Sequence, residues 1–153
     1  MTTLTWDGAT LASDSRSTRK HRSHGTGRDH CVKCDSTIDR TVKYRGKVHA
    51  PRDKLLFFKD QQIIAWAHAG TVPVTDVMTY ALQKGVDLSV AVTLAYKGMS
   101  ESPKDVGLLL IVTTETVWEV ETIGLGGVTI KEITDVPYAI GSGSPAAMVA
   151  MKR

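Results

Sequence analysis

Apolar residues fall into short strand-like runs near both ends of the chain and into two runs of helical spacing in its middle. The first strand-like runs, 3–6 and 9–13, flank the dipeptide Asp7-Gly8. Both positions of this dipeptide tolerate positive φ, so the pattern predicts a β-hairpin closed by a two-residue turn. The sequence therefore predicts that the chain enters a sheet within a few residues of its start.

A second hairpin is predicted by the apolar runs 55–58 and 63–67, which flank four polar residues. Both runs are apolar enough to predict burial. Two helices follow. Residues 74–84 carry apolar side chains at helical spacing with Gly85 as the stop signal, and residues 88–97 form the second helix, capped by Asp87.

The pattern in the last third of the chain predicts further strands and then the start of a helix. Ser144 is the expected N-cap of this helix and Pro145 its first residue. The predicted strands are 106–112, 116–121, 128–133 and 138–140. Strands, helices and strands in separate blocks predict an α+β fold with mostly antiparallel sheet. A chain of 153 residues suits one domain, 1–153, with a sizeable core.

Composition adds an expectation about the compartment. No apolar run approaches the length that a membrane helix needs, and residues 1–20 lack the apolar region of a signal peptide. We therefore expect a cytoplasmic protein that does not bind membranes and whose two cysteines stay reduced.

Charge is unevenly spread. The stretch from Arg16 to Lys54 holds twelve of the nineteen lysines and arginines, four of the five histidines and both cysteines. Few large apolar residues lie there, so an insertion at about 17–50 is expected, with one strand at 41–44. Nucleic acid is disfavoured as its partner because the segment holds few aromatic residues for stacking.

A zinc site is an alternative for part of this segment. A Cys-x-x-Cys pair and nearby histidines supply the ligand types of a tetrahedral site, namely Cys31, Cys34, His30 and His49. Only one such pair is present, which favours a solvated basic loop over zinc.

Thr2 is the first candidate catalytic residue. Methionine before a small residue is normally removed, so the mature chain would begin at Thr2 with a free α-amine. That amine has a pKa of about 8 and is one of the bases that activate a threonine hydroxyl. A random terminal threonine frays, but here a strand begins at once, and a terminus held in a sheet has a fixed position.

Five segments together resemble the proteasome β-type threonine peptidases, which are N-terminal nucleophile hydrolases, and among them the bacterial ATP-dependent, ring-forming relatives. The segments are 2–4, 12–16, 54–55, 63–70 and 139–144. The resemblance implies a layered αββα sandwich, here incomplete at its C-terminal end. It also implies that the chain hydrolyses peptide bonds without a cofactor.

The same resemblance implies roles for six residues. Thr2 would be the nucleophile, Lys54 the cation that lowers its proton affinity, and Asp14 the anion that holds Lys54. Ala69, with Gly70 beside it, would give the backbone N–H that stabilises the oxyanion. Ser142 would hydrogen-bond near the threonine amine. A Lys54 on the solvent side of the domain, far from Thr2, would contradict the peptidase function itself.

Partners also follow from the resemblance: a polypeptide substrate, further copies of the chain in a ring, and an ATP-driven unfoldase. The chain departs from the family pattern, because the family continues with a longer helix, closing strands and further site residues. Two alternatives therefore stay open. One is an inactive subunit of the same fold that acts in assembly, and the other is a small basic module that binds metal or nucleic acid.

Overall fold

The structure is a computed structural model that describes residues 3–14, 18–22, 29–31, 36–38, 40–98, 106–123, 127–141 and 143–152. Within these residues the fold is mixed α+β, with three helices and antiparallel pairing throughout. The helices are α1 (Val72–Lys84), α2 (Leu88–Gly98) and α3 (Ser144–Met151). The strands are β1 (Thr3–Trp6), β2 (Leu11–Ser13), β3 (Thr18–Arg22), β4 (Asp29–Cys31), β5 (Ser36–Ile38), β6 (Arg40–His49), β7 (Phe57–Phe58), β8 (Gln61–Thr71), β9 (Gly107–Thr113), β10 (Val117–Thr122), β11 (Val128–Ile133) and β12 (Tyr138–Gly141).

Two sheets carry most of the strands. The small sheet has the order β12-β1-β2, and the large sheet has the order β11-β10-β9-β8-β6-β3, with β7 paired to the start of β8. β4 and β5 pair with each other. β1 and β8 are therefore interior strands, each paired on both sides.

The large sheet has an apolar core on each face. Side chains alternate along β9, so Leu109 and Ile111 pack with α1 and α2 on one face. Leu108, Leu110 and Val112 pack on the other face, against Leu4 and Ile140 of the small sheet. The order of layers is thus helices, large sheet, small sheet, and α3 contacts β1 and β12.

Both predicted helices in the middle of the chain are confirmed. α1 ends at Gly85, which adopts φ of 70° and donates its N–H to the carbonyl of Ala81. The Asp87 carboxylate accepts a hydrogen bond of 3.1 Å from the N–H of Val90, as a cap of α2 does.

The first hairpin forms, but the predicted two-residue turn is wrong. Trp6 pairs with Leu11, so residues 7–10 form a four-residue loop. The Asp7 carboxylate accepts hydrogen bonds from the N–H groups of Ala9 and Thr10 at 2.8 and 2.6 Å. These bonds stabilise the longer loop, since an aspartate side chain can take the place of backbone in a turn.

In the second hairpin the turn is tighter than predicted. Phe58 pairs with Gln61, and Lys59 and Asp60 adopt φ of 53° and 60° between them. The expected burial is wrong in part, because Leu55, Phe57 and Ile64 are each more than half exposed. Side chains alternate between the two faces of a strand, and Phe57 of β7 and Ile64 of β8 face away from the core. Leu55 belongs to the loop that precedes β7.

The basic segment contributes more strand than the single run predicted at 41–44. β6 extends over Arg40–His49 and pairs with β3 on one side and with β8 on the other. At the other end of the chain, α3 is capped by Gly143 rather than by Ser144, which is its first residue. Among the described residues, no helix combines the length and apolar character needed to cross a membrane.

Candidate functional site

The start of β1 is held in place by three neighbours. Thr3 pairs with Gly141 of β12, and its carbonyl oxygen accepts a 2.9 Å hydrogen bond from the N–H of Asp14. Its hydroxyl oxygen accepts a second 2.9 Å bond, from the N–H of Gly143. Thr3 is thus fixed through both its backbone and its side chain. Thr2, the residue before it, lies outside the described residues.

Gly143 lies so close to Thr3 that a side chain at position 143 would require the Thr3 hydroxyl to move. A Cβ at Gly143 would lie 2.6 Å from the Thr3 hydroxyl oxygen. Gly141 adopts φ of 104°, a conformation that favours glycine. Ser142, between these two glycines, lies outside the described residues, but both of its neighbours lie against Thr3.

Gly70, near the end of β8, is also confined by backbone. A Cβ at this position would overlap the carbonyl oxygen of Val106, and Gly70 adopts φ of 133°. The next residue, Thr71, donates its N–H to the same oxygen at 2.9 Å and accepts the Val106 N–H on its hydroxyl at 3.3 Å. The close approach of the Val106 backbone therefore requires glycine at position 70.

A pocket of about 320 Å³ is lined by Val106, which lies against Gly70, and by Gly141, which pairs with Thr3. Val106 and Leu108 line it from the large sheet, and Gly141 and Ser144 line it from the small sheet and α3. Gly70 therefore lies at the same end of the two sheets as Thr3. We call this arrangement the closed end; its residues are Thr3, Gly70, Val106, Gly141 and Gly143.

Ala69 is fully buried in the core between the two sheets. It pairs with Gly46 on one side and with Leu108 on the other. Backbone N–H groups of an interior antiparallel strand point along the sheet to a neighbouring strand. The Ala69 N–H therefore belongs to the ladder, and an oxyanion would reach it only if the ladder opened there.

Asp14 and Lys54 occupy different surroundings. Asp14 is exposed and lies beside Thr3 through its backbone hydrogen bond. Lys54 is also exposed, on the loop 50–56, and lines a cavity with Trp66 of β8 and Lys84 of α1. That cavity opens on the face of the large sheet that carries the helices, whereas Thr3 belongs to the sheet on the opposite face. The lining of the Lys54 cavity includes neither Thr3 nor Asp14.

Sequence reasoning missed two acidic residues at the closed end. Glu119 and Glu121 line the 320 Å³ pocket, and the Tyr138 hydroxyl donates a 2.6 Å hydrogen bond to Glu119. Burial raises the pKa of Tyr138, and this bond to the Glu119 carboxylate raises it further. Glu119 and Glu121 are two residues apart on β10, so strand alternation places both on one face. This spacing could have predicted from the sequence that the two carboxylates lie close together.

Of the four candidate zinc ligands, His49 is the one whose side chain the structure describes. His49 packs in a ring stack, with its centroid 5.2 Å from that of Trp66 and 4.9 Å from that of His68. His30 and Cys31 belong to β4, and Cys34 lies outside the described residues. Among the residues that the structure describes, no group of three or more His, Cys, Asp or Glu side chains is placed to hold a metal ion.

Comparisons with protein-family models, with curated proteins and with solved structures find no match to this chain.

Proposed function

We propose that the chain is a threonine-type peptidase that uses Thr2 as its nucleophile, in an N-terminal nucleophile hydrolase sandwich. The observation that supports this most is the fixed position of Thr3. Its neighbour Thr2 needs a defined position relative to substrate, because a nucleophile displaced by about 1 Å loses much of its rate. The three contacts of Thr3 supply the rigid support for it.

The chemistry proceeds in two steps. The Thr2 hydroxyl oxygen attacks the peptide carbonyl carbon while the α-amine takes the hydroxyl proton and passes it to the leaving amine. An ester between Thr2 and the acyl half of the substrate results. A water molecule then attacks the ester carbonyl, releases the carboxylic acid and returns the proton to the threonine oxygen.

Substrate would reach Thr2 through the pocket at the closed end. Asp14 lies beside Thr3, and so do Gly141 and Gly143. The proposal extends to the partners that the resemblance implies: polypeptide substrates, a ring of identical subunits and an ATP-driven unfoldase.

Lys54 favours a second candidate, an inactive subunit of the same fold. A lysine lowers the proton affinity of a nucleophile only from a few ångströms away. Lys54 is exposed and lines a cavity on the helix side of the large sheet. A chain without a cation beside Thr2 would keep the fold and its assembly surfaces and lack turnover.

Peptide hydrolysis separates the two candidates. A fluorogenic peptide should be cleaved by the natural protein and not by Thr2→Ala. Thr10→Ala is the matched control, because Thr10 is exposed in the first hairpin loop and its backbone alone makes the turn bonds. Equal activity in Thr2→Ala would contradict the peptidase proposal. Absence of turnover in a folded, assembled protein would establish the inactive subunit instead.

A further inference from the structure

A cavity of about 750 Å³ opens beside the last turn of α1. Its walls come from the end of β6, the loop 50–56 and α1. Four basic side chains and one acidic side chain line it: Lys47, Arg52, Lys54, Lys84 and Asp53. We call this the basic cavity. Positive charge concentrated around one concave opening attracts and retains anions.

The floor of the basic cavity is apolar and rigid. Leu56 and Trp66 line it and are 7% and 1% exposed. The His49 ring stacks on Trp66 with an interplanar angle of 17°. The cavity is therefore shaped by packed core side chains and not only by the long side chains of its lysines.

One of these lining residues, Trp66, also carries a buried polar atom without a hydrogen-bond partner. The indole Nε1 of Trp66 is buried and has no hydrogen-bond partner among the described residues. Buried donors in native proteins are nearly always satisfied, by protein, water or ligand. A donor of this kind in the lining is an observation separate from the charges around the rim.

We propose that the basic cavity binds a small molecule carrying a di- or triphosphate group. A single carboxylate would offset one of the four cations, whereas a polyphosphate presents several charged oxygens to all of them. Lysine and arginine donate strong charge-assisted hydrogen bonds to phosphate oxygens. The volume lies within the range of small-molecule sites.

Nucleic acid fits this cavity less well. Single-stranded binders stack their bases on accessible aromatic rings. Trp66 is the tryptophan of this lining and is 1% exposed, so no base can stack on it.

Calorimetric titration of the full chain with sodium tripolyphosphate at constant ionic strength tests the proposal. Lys47→Gln and Arg52→Gln should each weaken binding about tenfold, since each removes a charge-assisted contact. Asp53→Asn should strengthen binding, because it removes the one carboxylate that opposes the ligand. Lys54 is left unchanged in this test because it also enters the peptidase proposal.

Lys131→Gln is the matched control. Lys131 is exposed on β11, outside the lining of the basic cavity, and its loss changes the net charge by the same amount. It should change the affinity less than about twofold. Circular dichroism establishes that each variant is folded.

Three results would overturn the proposal: no binding by the natural protein, equal weakening in Lys131→Gln, or unchanged affinity in both Lys47→Gln and Arg52→Gln. Binding of a DNA oligonucleotide with no binding of tripolyphosphate would also overturn it. None of these results depends on peptide hydrolysis, so this proposal and the peptidase proposal fail separately.

Discussion

The closed end and the basic cavity are built in opposite ways. At the closed end, a Cβ on Gly70 would overlap the backbone of Val106, and a Cβ on Gly143 would meet the Thr3 hydroxyl. Around the basic cavity, charged side chains project into solvent from a packed floor. The closed end holds Thr3 in a fixed position, as a catalytic site requires of its residues. The basic cavity attracts anions electrostatically, as a binding site for them requires. Substitutions should therefore affect stability at the first region and affinity at the second.

Gly70→Ala should have the largest effect on stability. The new Cβ would overlap the Val106 carbonyl oxygen in a backbone with φ of 133°, so both segments must move. We expect a loss of about 3 kcal/mol or more in the free energy of unfolding. Urea denaturation measures it.

Gly85→Ala is the control for this substitution. Gly85 also has a positive φ, of 70°, but a Cβ there would meet no atom within 4 Å. Its cost should be about 1 kcal/mol. Equal losses at the two positions would show that φ alone matters and that the close approach to Val106 does not.

The contact between Gly143 and Thr3 should appear as a coupling energy. Gly143→Ala should cost about 1–2 kcal/mol, because the added Cβ displaces the Thr3 hydroxyl. Thr3→Ala should cost about 1 kcal/mol, through the hydrogen bond from Gly143. The double variant should lose about 1 kcal/mol less than the sum, since an alanine in place of Thr3 has no hydroxyl to clash. Additive losses in denaturation experiments would contradict the contact.

At the basic cavity the expected effect on stability is small. Arg52 and Lys47 are exposed, and substitution of either by Gln should change the free energy of unfolding by less than about 0.5 kcal/mol. Thermal and urea unfolding measure the change. A loss comparable to that of Gly143→Ala would mean that the rim charges support the fold, and the contrast between the two regions would disappear.

The smallest effect should be a pH dependence in the loop that joins β1 to β2. Hydrogen bonds from the N–H groups of Thr10 and Ala9 hold the pKa of Asp7 below its usual value. A carboxylate with a lowered pKa stabilises the fold above its unfolded pKa of about 4, and this contribution is lost as pH falls through the folded pKa.

Asp7→Asn tests this dependence, because asparagine accepts the same hydrogen bonds without titrating. Unfolding experiments at pH 7 and in the acid range should show a smaller loss of stability in Asp7→Asn than in the natural protein. Parallel pH profiles of the two proteins would assign the acid sensitivity to other groups.

Sequence patterns predicted the elements better than their ends. The helical spacing in α1 and the stop at Gly85 predicted that helix to within two residues, because burial and capping act locally. The turn at Asp7-Gly8 was mispredicted because the Asp7 side chain bonds two backbone N–H groups in a longer loop. The strand predicted at 41–44 lies within β6, but the continuation of β6 to His49 was missed, because its pairing with β8 is tertiary and several of its residues are basic.

Part of the candidate site could likewise be predicted. A strand at the chain start and a glycine pair around Ser142 are local signals, and the structure brings both to Thr3. The surroundings of Lys54 depend on the path of the loop 50–56, which carries one buried residue, Leu56, between exposed ones. Spacing along the chain gave no information on which face of the large sheet that loop would join.

Locating the acyl group during turnover shows whether Thr2 is the nucleophile. The natural protein is mixed with a peptide ester, quenched in acid and analysed by peptide mass mapping. We expect Met1 to be absent and the acyl group to be attached to Thr2. Retained Met1, or an acyl group on any other residue, would contradict this role of Thr2.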